Sequence, residues 1–168
     1  MDNFKQNKSW EERQQTYVVP FFEKELNCQI KLASFNDDIE NATDLIIKYK
    51  KNIFKCGMRI RNSNYSEYED ITIRSRSKFG SPTEIDKLKN TDRIIYCVVD
   101  PKTRTIIKYV VLDALATYNL LINLPFITEI QNKNAGTWFK VIPINVARTN
   151  KLITRESGYI EERNDGRI

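Results

Sequence analysis

The chain has 168 residues and a formal net charge of +5, with 40% apolar and 29% charged residues. That balance suits one globular domain with a real core and argues against a chain disordered throughout. It contains no histidine, which excludes histidine general bases, Ser–His and Cys–His nucleophile pairs and histidine metal sites. Cys28, Cys56 and Cys97 are widely spaced and lack CxxC pairing, against a disulfide framework or a zinc centre. Any metal would be a hard ion held by carboxylates. The positive balance favours a polyanionic partner without demanding one. The first residues, Met1 to Gln6, are polar, and no apolar stretch reaches membrane-spanning length. The expected location is therefore the cytoplasm, with no membrane partner.

In chain order, Ser9 to Leu26 reads as a helix. Ser9 and Glu12 have capping-box spacing, and Trp10, Arg13, Tyr17, Phe21 and Leu26 form an approximate stripe, with Pro20 expected to kink or split it. Asn27 to Leu32 alternates as a short strand, followed by a polar loop around Asn36 to Asn41. Asp44 to Tyr49 and Phe54 to Arg61 read as a hairpin around Lys50-Lys51-Asn52, and Asp70 to Arg76 as a third strand of the same meander. Pro82 to Asn90 is expected to be a short helix capped by Ser81, with Glu84 as the capping-box acid. Arg93 to Val99 is almost wholly apolar and reads as a central strand. Thr105 to Leu112 is its hairpin mate, Asp113 caps a helix from Ala114 to Leu121, and Trp138 to Val146 is a late strand. This order predicts a mixed α/β (α+β) domain, a single mixed sheet with flanking helices, over residues 1–147. A polar tail is expected over 148–168.

The chemistry concentrates in two segments. Met58-Arg59-Ile60-Arg61 and Ile71-Thr72-Ile73-Arg74-Ser75-Arg76 both alternate with period two. As neighbouring strands they would place Met58, Ile60, Ile71 and Ile73 on one face and Arg59, Arg61, Thr72, Arg74 and Arg76 on the other. Guanidinium groups so crowded repel unless anions lie between them. Those anions are either a phosphate ligand, which arginine meets with bidentate geometry, or internal carboxylates such as Glu67, Glu69, Asp70 and Glu84. Tyr65 and Tyr68 in the adjoining loop either stack on bases or pack on the sheet. Lys48, Lys50, Lys51 and Lys55 make a basic turn that is either simply solvated or the place where a duplex backbone is gripped.

The order helix, meander, helix, strand over roughly residues 9–112 resembles the PD-(D/E)XK, or restriction-endonuclease-like, nuclease superfamily. In that family an Asp opens one core strand, the next strand carries an acid, an apolar residue and a lysine, and the first helix often adds a glutamate. Ala42-Thr43-Asp44-Leu45 looks like the Asp-bearing strand, and Glu12 or Glu23 like the helical carboxylate. The resemblance implies Mg²⁺ held by carboxylates, activating water for attack on a phosphodiester. It also implies nucleic acid, chiefly DNA, as partner, and is compatible with a homodimer. The next strand departs from the pattern, because Arg59 and Arg61 stand where the acid and lysine belong, and arginine neither holds magnesium nor acts as a base. Either the site is dead and only a phosphate-binding sheet is left, or the acid and lysine have moved to Glu84 and Lys87, three apart on one helix face.

On the second alternative Asp44, Glu84 and Glu12 are the metal ligands and Asp44, Glu84 and Lys87 the catalytic set. Arg59, Arg61, Thr72, Arg74, Arg76, Tyr68 and Lys48 then hold nucleic acid. The string from Met58 to Lys87 is also similar to uncharacterised proteins of phages and mobile elements. The competing expectations are a Mg²⁺-dependent endonuclease, a catalytically dead nucleic-acid-binding protein, and an interaction protein that meets an acidic partner such as a host defence enzyme.

Overall fold

The computed structural model describes residues 3–34, 43–77, 79–80, 83–124, 127–133 and 136–158, with side chains from residue 9 onward. Helix α1 (Asn3–Glu25) leads into an antiparallel meander of β1 (Gln29–Leu32), β2 (Leu45–Tyr49) and β3 (Asn52–Asn62). After a 3₁₀ turn at Ser63–Tyr65 come β4 (Asp70–Arg76), the short helix α2 (Glu84–Lys87) and its 3₁₀ extension Leu88–Asn90. The hairpin β5 (Arg93–Asp100) and β6 (Thr105–Asp113) follows, then α3 (Ala114–Asn123), β7 (Glu129–Asn132), β8 (Thr137–Pro143), α4 (Ile144–Thr149) and β9 (Ile153–Ser157). The expected polar loop around Asn36 to Asn41 and the Ser81 cap lie outside the described residues.

The mixed α/β class holds, but the strands form two sheets rather than one. The larger runs β1-β2-β3-β5-β6-β9 and the smaller β4-β8-β7. In the larger sheet β3 and β5 are parallel, and the segment between them, carrying β4 and α2, is the crossover that parallel neighbours require. β5 is buried on both faces along its length, as its unbroken apolar run demands.

Period-two alternation divides the larger sheet between two cores. Met58, Ile60, Ile95, Cys97, Val99, Tyr109 and Val111 face α1, where Val18 and Phe22 are fully buried. Phe22 meets the Tyr109 ring edge-on at 5.1 Å, and the Tyr109 hydroxyl donates to Glu25 at 2.8 Å. On the other side Ile94, Tyr96, Val110 and Leu112 pack with Ile71 and Ile73 of β4, with α3 and with α4. Cys56 and Cys97 are both core residues, and burial pushes the Cys56 thiol up to about 12 and that of Cys97 up as well. Neither is a thiolate nucleophile at neutral pH.

Three expectations are corrected here. β4 is not a neighbour of β3: it pairs with β8, Thr72 opposite Val141, a partner distant in sequence. Helix α1 begins before Ser9 and runs through Pro20 without splitting, so Ser9 is inside the helix and forms no capping box. The segment after residue 147 is not a loose tail. β9 pairs with β6, the Leu152 amide and carbonyl bond to Ala147 and Asp113, and Leu152 is 2% exposed. Replacing Leu152 by Ala is accordingly expected to cost about 2–5 kcal/mol, read as a lower urea midpoint. A change within about 0.5 kcal/mol, typical of surface positions, would return this segment to tail status.

Candidate functional site

β2 reaches only as far as Leu45, opposite Cys56, so the remainder of β3 keeps β5 as its sheet neighbour and leaves its other edge without a described strand. Asp44 closes the gap. Its amide donates to the Cys56 carbonyl and its own carbonyl accepts from Ala33, both at 2.9 Å, while its carboxylate accepts the Met58 amide at 2.5 Å. The carboxylate thus satisfies a backbone donor that the departing strand would orphan.

Just beyond Met58, Arg59 and Arg61 project from the face of β3 that also carries Tyr96 of β5 in register. They meet β4 across the gap between the two sheets, where the Arg61 Nη2 donates to Thr72 Oγ1 at 2.9 Å and that hydroxyl lies 3.5 Å from the Tyr96 hydroxyl. The arginines therefore do converge, but from facing sheets rather than from adjacent strands of one sheet.

Glu84 is the hub of this notch. Arg59 grips it twice, Nε to Oε1 at 3.3 Å and Nη2 to Oε2 at 2.5 Å, and the Arg74 amide donates to Oε2 at 3.1 Å. Glu84 is free for this because the cap of α2 is Thr83, whose amide donates to Asp86 at 2.7 Å. The capping-box role expected for Ser81 and Glu84 thus falls to Thr83 and Asp86. Burial pushes the Glu84 carboxyl up, but the Arg59 charge and hydrogen bonds, with the Arg74 amide, outweigh it and hold it below its ordinary value of 4.5. Reciprocally, Arg59 is raised by the Glu84 charge, with Glu11 and Asp44 adding to it.

Glu11 is the helical carboxylate that reaches this cluster. Burial raises it above its ordinary value of 4.5, with Arg59 and Arg61 acting in the opposite direction. Glu12 is exposed on α1 and is replaced by its neighbour in any account of the site. Glu23, the other candidate, accepts the Ile30 amide at 2.9 Å at the opposite end of the helix.

Arg61 and Arg74 differ from the other arginines. Each has a buried Nε with no hydrogen-bond acceptor, and neither is among the ion pairs of the described residues. The Arg61 guanidinium lies between the rings of Tyr65 and Tyr96, 5.6 and 5.9 Å from their centroids, and Arg74 lies 5.9 Å from the Phe139 ring. Burial pulls Arg74 below its ordinary value of 12.5, with the Arg59 charge helping. A guanidinium nonetheless stays charged at neutral pH.

The remaining sequence candidates scatter. A register shift between Arg74 and Arg76 takes Arg76 out of the ladder to Glu129, with its guanidinium 4.5 Å over the Trp138 ring. Lys48 is exposed and opposite Ile53, at the hairpin end of β2, about 13 Å of strand from Asp44. Lys87 ends α2, whereas the basic groups that set the charge of Glu84 are Arg59 and Arg74. Tyr68 is exposed beside Tyr65.

The donor set does not fit Mg²⁺ as arranged. Both Glu84 oxygens are engaged by Arg59 and the Arg74 amide, and the Asp44 carboxylate by the Met58 amide. No group of three or more Cys, Asp or Glu side chains among the described residues is placed to hold an ion. Comparisons with protein-family models, with curated proteins and with solved structures gave no match.

Glu84→Gln leaves Arg59 buried without its counter-charge and is expected to cost about 3–5 kcal/mol at pH 7. Because the folded carboxyl titrates below its ordinary value, its stabilisation is present above pH 4.5 and fades as pH falls through the lower folded value. Urea melts of the two proteins should therefore converge in acid, and a pH-independent difference would contradict the pairing. Glu11→Gln should do the opposite, since the folded carboxyl is raised. It should gain stability at pH 7, the gain vanishing below 4.5, where the carboxyl is protonated folded or unfolded. Lower stability of this variant at pH 7 would show that the Glu11 charge supports the fold.

Proposed function

We propose that this protein binds nucleic acid through its phosphate backbone on an endonuclease-like scaffold, with Arg61 and Arg74 as the gripping cations and Thr72 beside them. One observation carries this reading. Two guanidinium groups on facing strands each keep a buried Nε without an acceptor. A buried donor left unsatisfied costs about 1–3 kcal/mol, and a phosphate meeting the outer N–H groups of these guanidiniums supplies the counter-charge that no ion pair among the described residues provides. The net charge of +5 is in keeping with a polyanionic ligand. The scaffold part of the reading is supported by element order, since β1 to β3 form the meander between α1 and α2, and Asp44 stands at the opening of β2.

A second reading, the Mg²⁺-dependent endonuclease, is favoured by one further observation. Glu84 grips Arg59 directly, and the charges of Glu11 and Asp44 also act on that cation. It requires Arg59 to release Glu84 when substrate arrives.

One experiment separates these readings: labelled DNA and RNA titrated over a range of salt, with Mg²⁺, Mn²⁺ or chelator, followed for retardation and for cleavage. The expected result is binding that weakens steeply with salt. Arg61→Ala and Arg74→Ala should each lower the slope of log affinity against log salt by about 1. Salt-insensitive binding, or none, overturns the proposal. Divalent-dependent cleavage that Asp44→Asn abolishes would replace it with the endonuclease reading, the Asn retaining an acceptor for the Met58 amide.

A further inference from the structure

We infer that Tyr65 and Tyr68 form a base-stacking platform beside Arg61, so that the site takes unpaired nucleotides in preference to an intact duplex. This deepens the phosphate-binding reading and rests on it. The two rings are 45% and 56% exposed, with centroids 5.9 Å apart and a 43° tilt, and they belong to neither hydrophobic core. Two aromatic rings side by side at the surface offer faces on which a base can stack.

The loop that carries them is built rather than loose. Asn62 Oδ1 accepts the Asn64 amide at 2.9 Å and starts the 3₁₀ turn, and the Ser66 amide donates to the Ser63 carbonyl at 3.0 Å. The Tyr68 amide donates to the Tyr65 carbonyl at 3.3 Å. From below, Lys108 donates to the Tyr68 carbonyl at 2.6 Å and pairs with Glu69 at 3.1 Å. Lys108 is 2% exposed. Burying an ammonium is costly, and its bonds tie the backbone at Tyr68 and the Glu69 side chain to β6.

Arg61 couples the platform to the phosphate cradle. Its guanidinium lies 5.6 Å from the Tyr65 centroid, so a phosphate held there places the adjoining base within reach of the rings. Aromatic faces next to a cationic groove are the arrangement that holds single strands, because each unpaired base offers a face to stack on. In a duplex both faces of a base are already stacked on neighbours, and only the phosphate contact is available.

The test measures anisotropy of labelled oligo-dT, oligo-U and a duplex of equal length with the full chain, across salt concentrations. The wild type is expected to bind a single strand at least about 10-fold more tightly than duplex. The Tyr65→Ala/Tyr68→Ala double variant should lose about 10- to 100-fold of single-strand affinity with an unchanged salt slope. Tyr65→Phe/Tyr68→Phe, which keeps the rings and drops the hydroxyls, should bind as wild type, and thermal melts should match across all three proteins. Equal binding of duplex and single strand, or an Ala variant that binds single strands as wild type does, overturns the platform while leaving the phosphate cradle standing. Loss of binding in the Phe variant overturns stacking in favour of hydroxyl contacts. No binding to any polymer overturns the cradle and the platform together.

Discussion

The ion pair between Arg59 and Glu84 ties together three parts of the chain that the backbone ladders leave separate. Arg59 belongs to the larger sheet, Glu84 opens α2, and the Arg74 amide on the same carboxylate belongs to the smaller sheet. A buried pair of this kind adds little net stability over an apolar substitute, but removal of one partner is severe because the other is stranded. Its value here is positional. With the bidentate grip in place, β4 is held against β3 at a fixed height, and the Thr72 hydroxyl falls where Arg61 can use it.

The notch exists because β2 is short. Once β2 leaves the sheet at Leu45, β3 carries backbone donors on that edge with no described strand beside them, and Asp44 serves the first of these. The side chains of the uncovered half of β3 lie beside the gap between the two sheets. The placement of charge there follows from a strand ending early, and the carboxylates drawn into it answer local needs. Asp44 serves an amide and Glu84 an arginine, whereas for Glu11 the field of Arg59 and Arg61 offsets only part of the burial that raises its carboxyl.

Much of this was legible in the sequence, and the parts that were not have physical reasons. Period-two alternation correctly separated Met58 and Ile60 from Arg59 and Arg61, and an unbroken apolar run correctly marked β5 as central. Alternation reports faces and says nothing of partners, so it points β4 to its nearest neighbour in sequence although its partner, β8, lies far downstream. The stripe expected on α1 does pack on the core at Trp10, Tyr17, Phe21 and Leu26, but its fully buried line runs one residue on, through Gln14, Val18 and Phe22. Carried back one turn, that line ends on Glu11, so a stripe anchored on Val18 and Phe22 would have selected Glu11 over Glu12. β9 escaped notice because Ile153 to Ser157 is mostly polar, as an edge strand can be when one face and one edge meet water.

The pattern of pairing among the arginines bears on function more than their number does. Carboxylates are available to this surface and are used: Arg76 has Glu129, Arg93 has Asp113 and Arg148 has Glu156. Among the described residues the two half-buried guanidiniums in no ion pair both lie near the Arg59–Glu84 pair and near aromatic rings. A ring face stabilises a cation without occupying its hydrogen-bonding edge. Arg61, placed near Tyr65 and Tyr96 and donating to Thr72, is thus oriented before any ligand arrives while retaining N–H donors for it. Orientation set in advance lowers the entropy lost on binding. That combination, a cation held by rings and a hydroxyl and in no direct ion pair among the described residues, is the feature on which the proposed contact with an external anion rests.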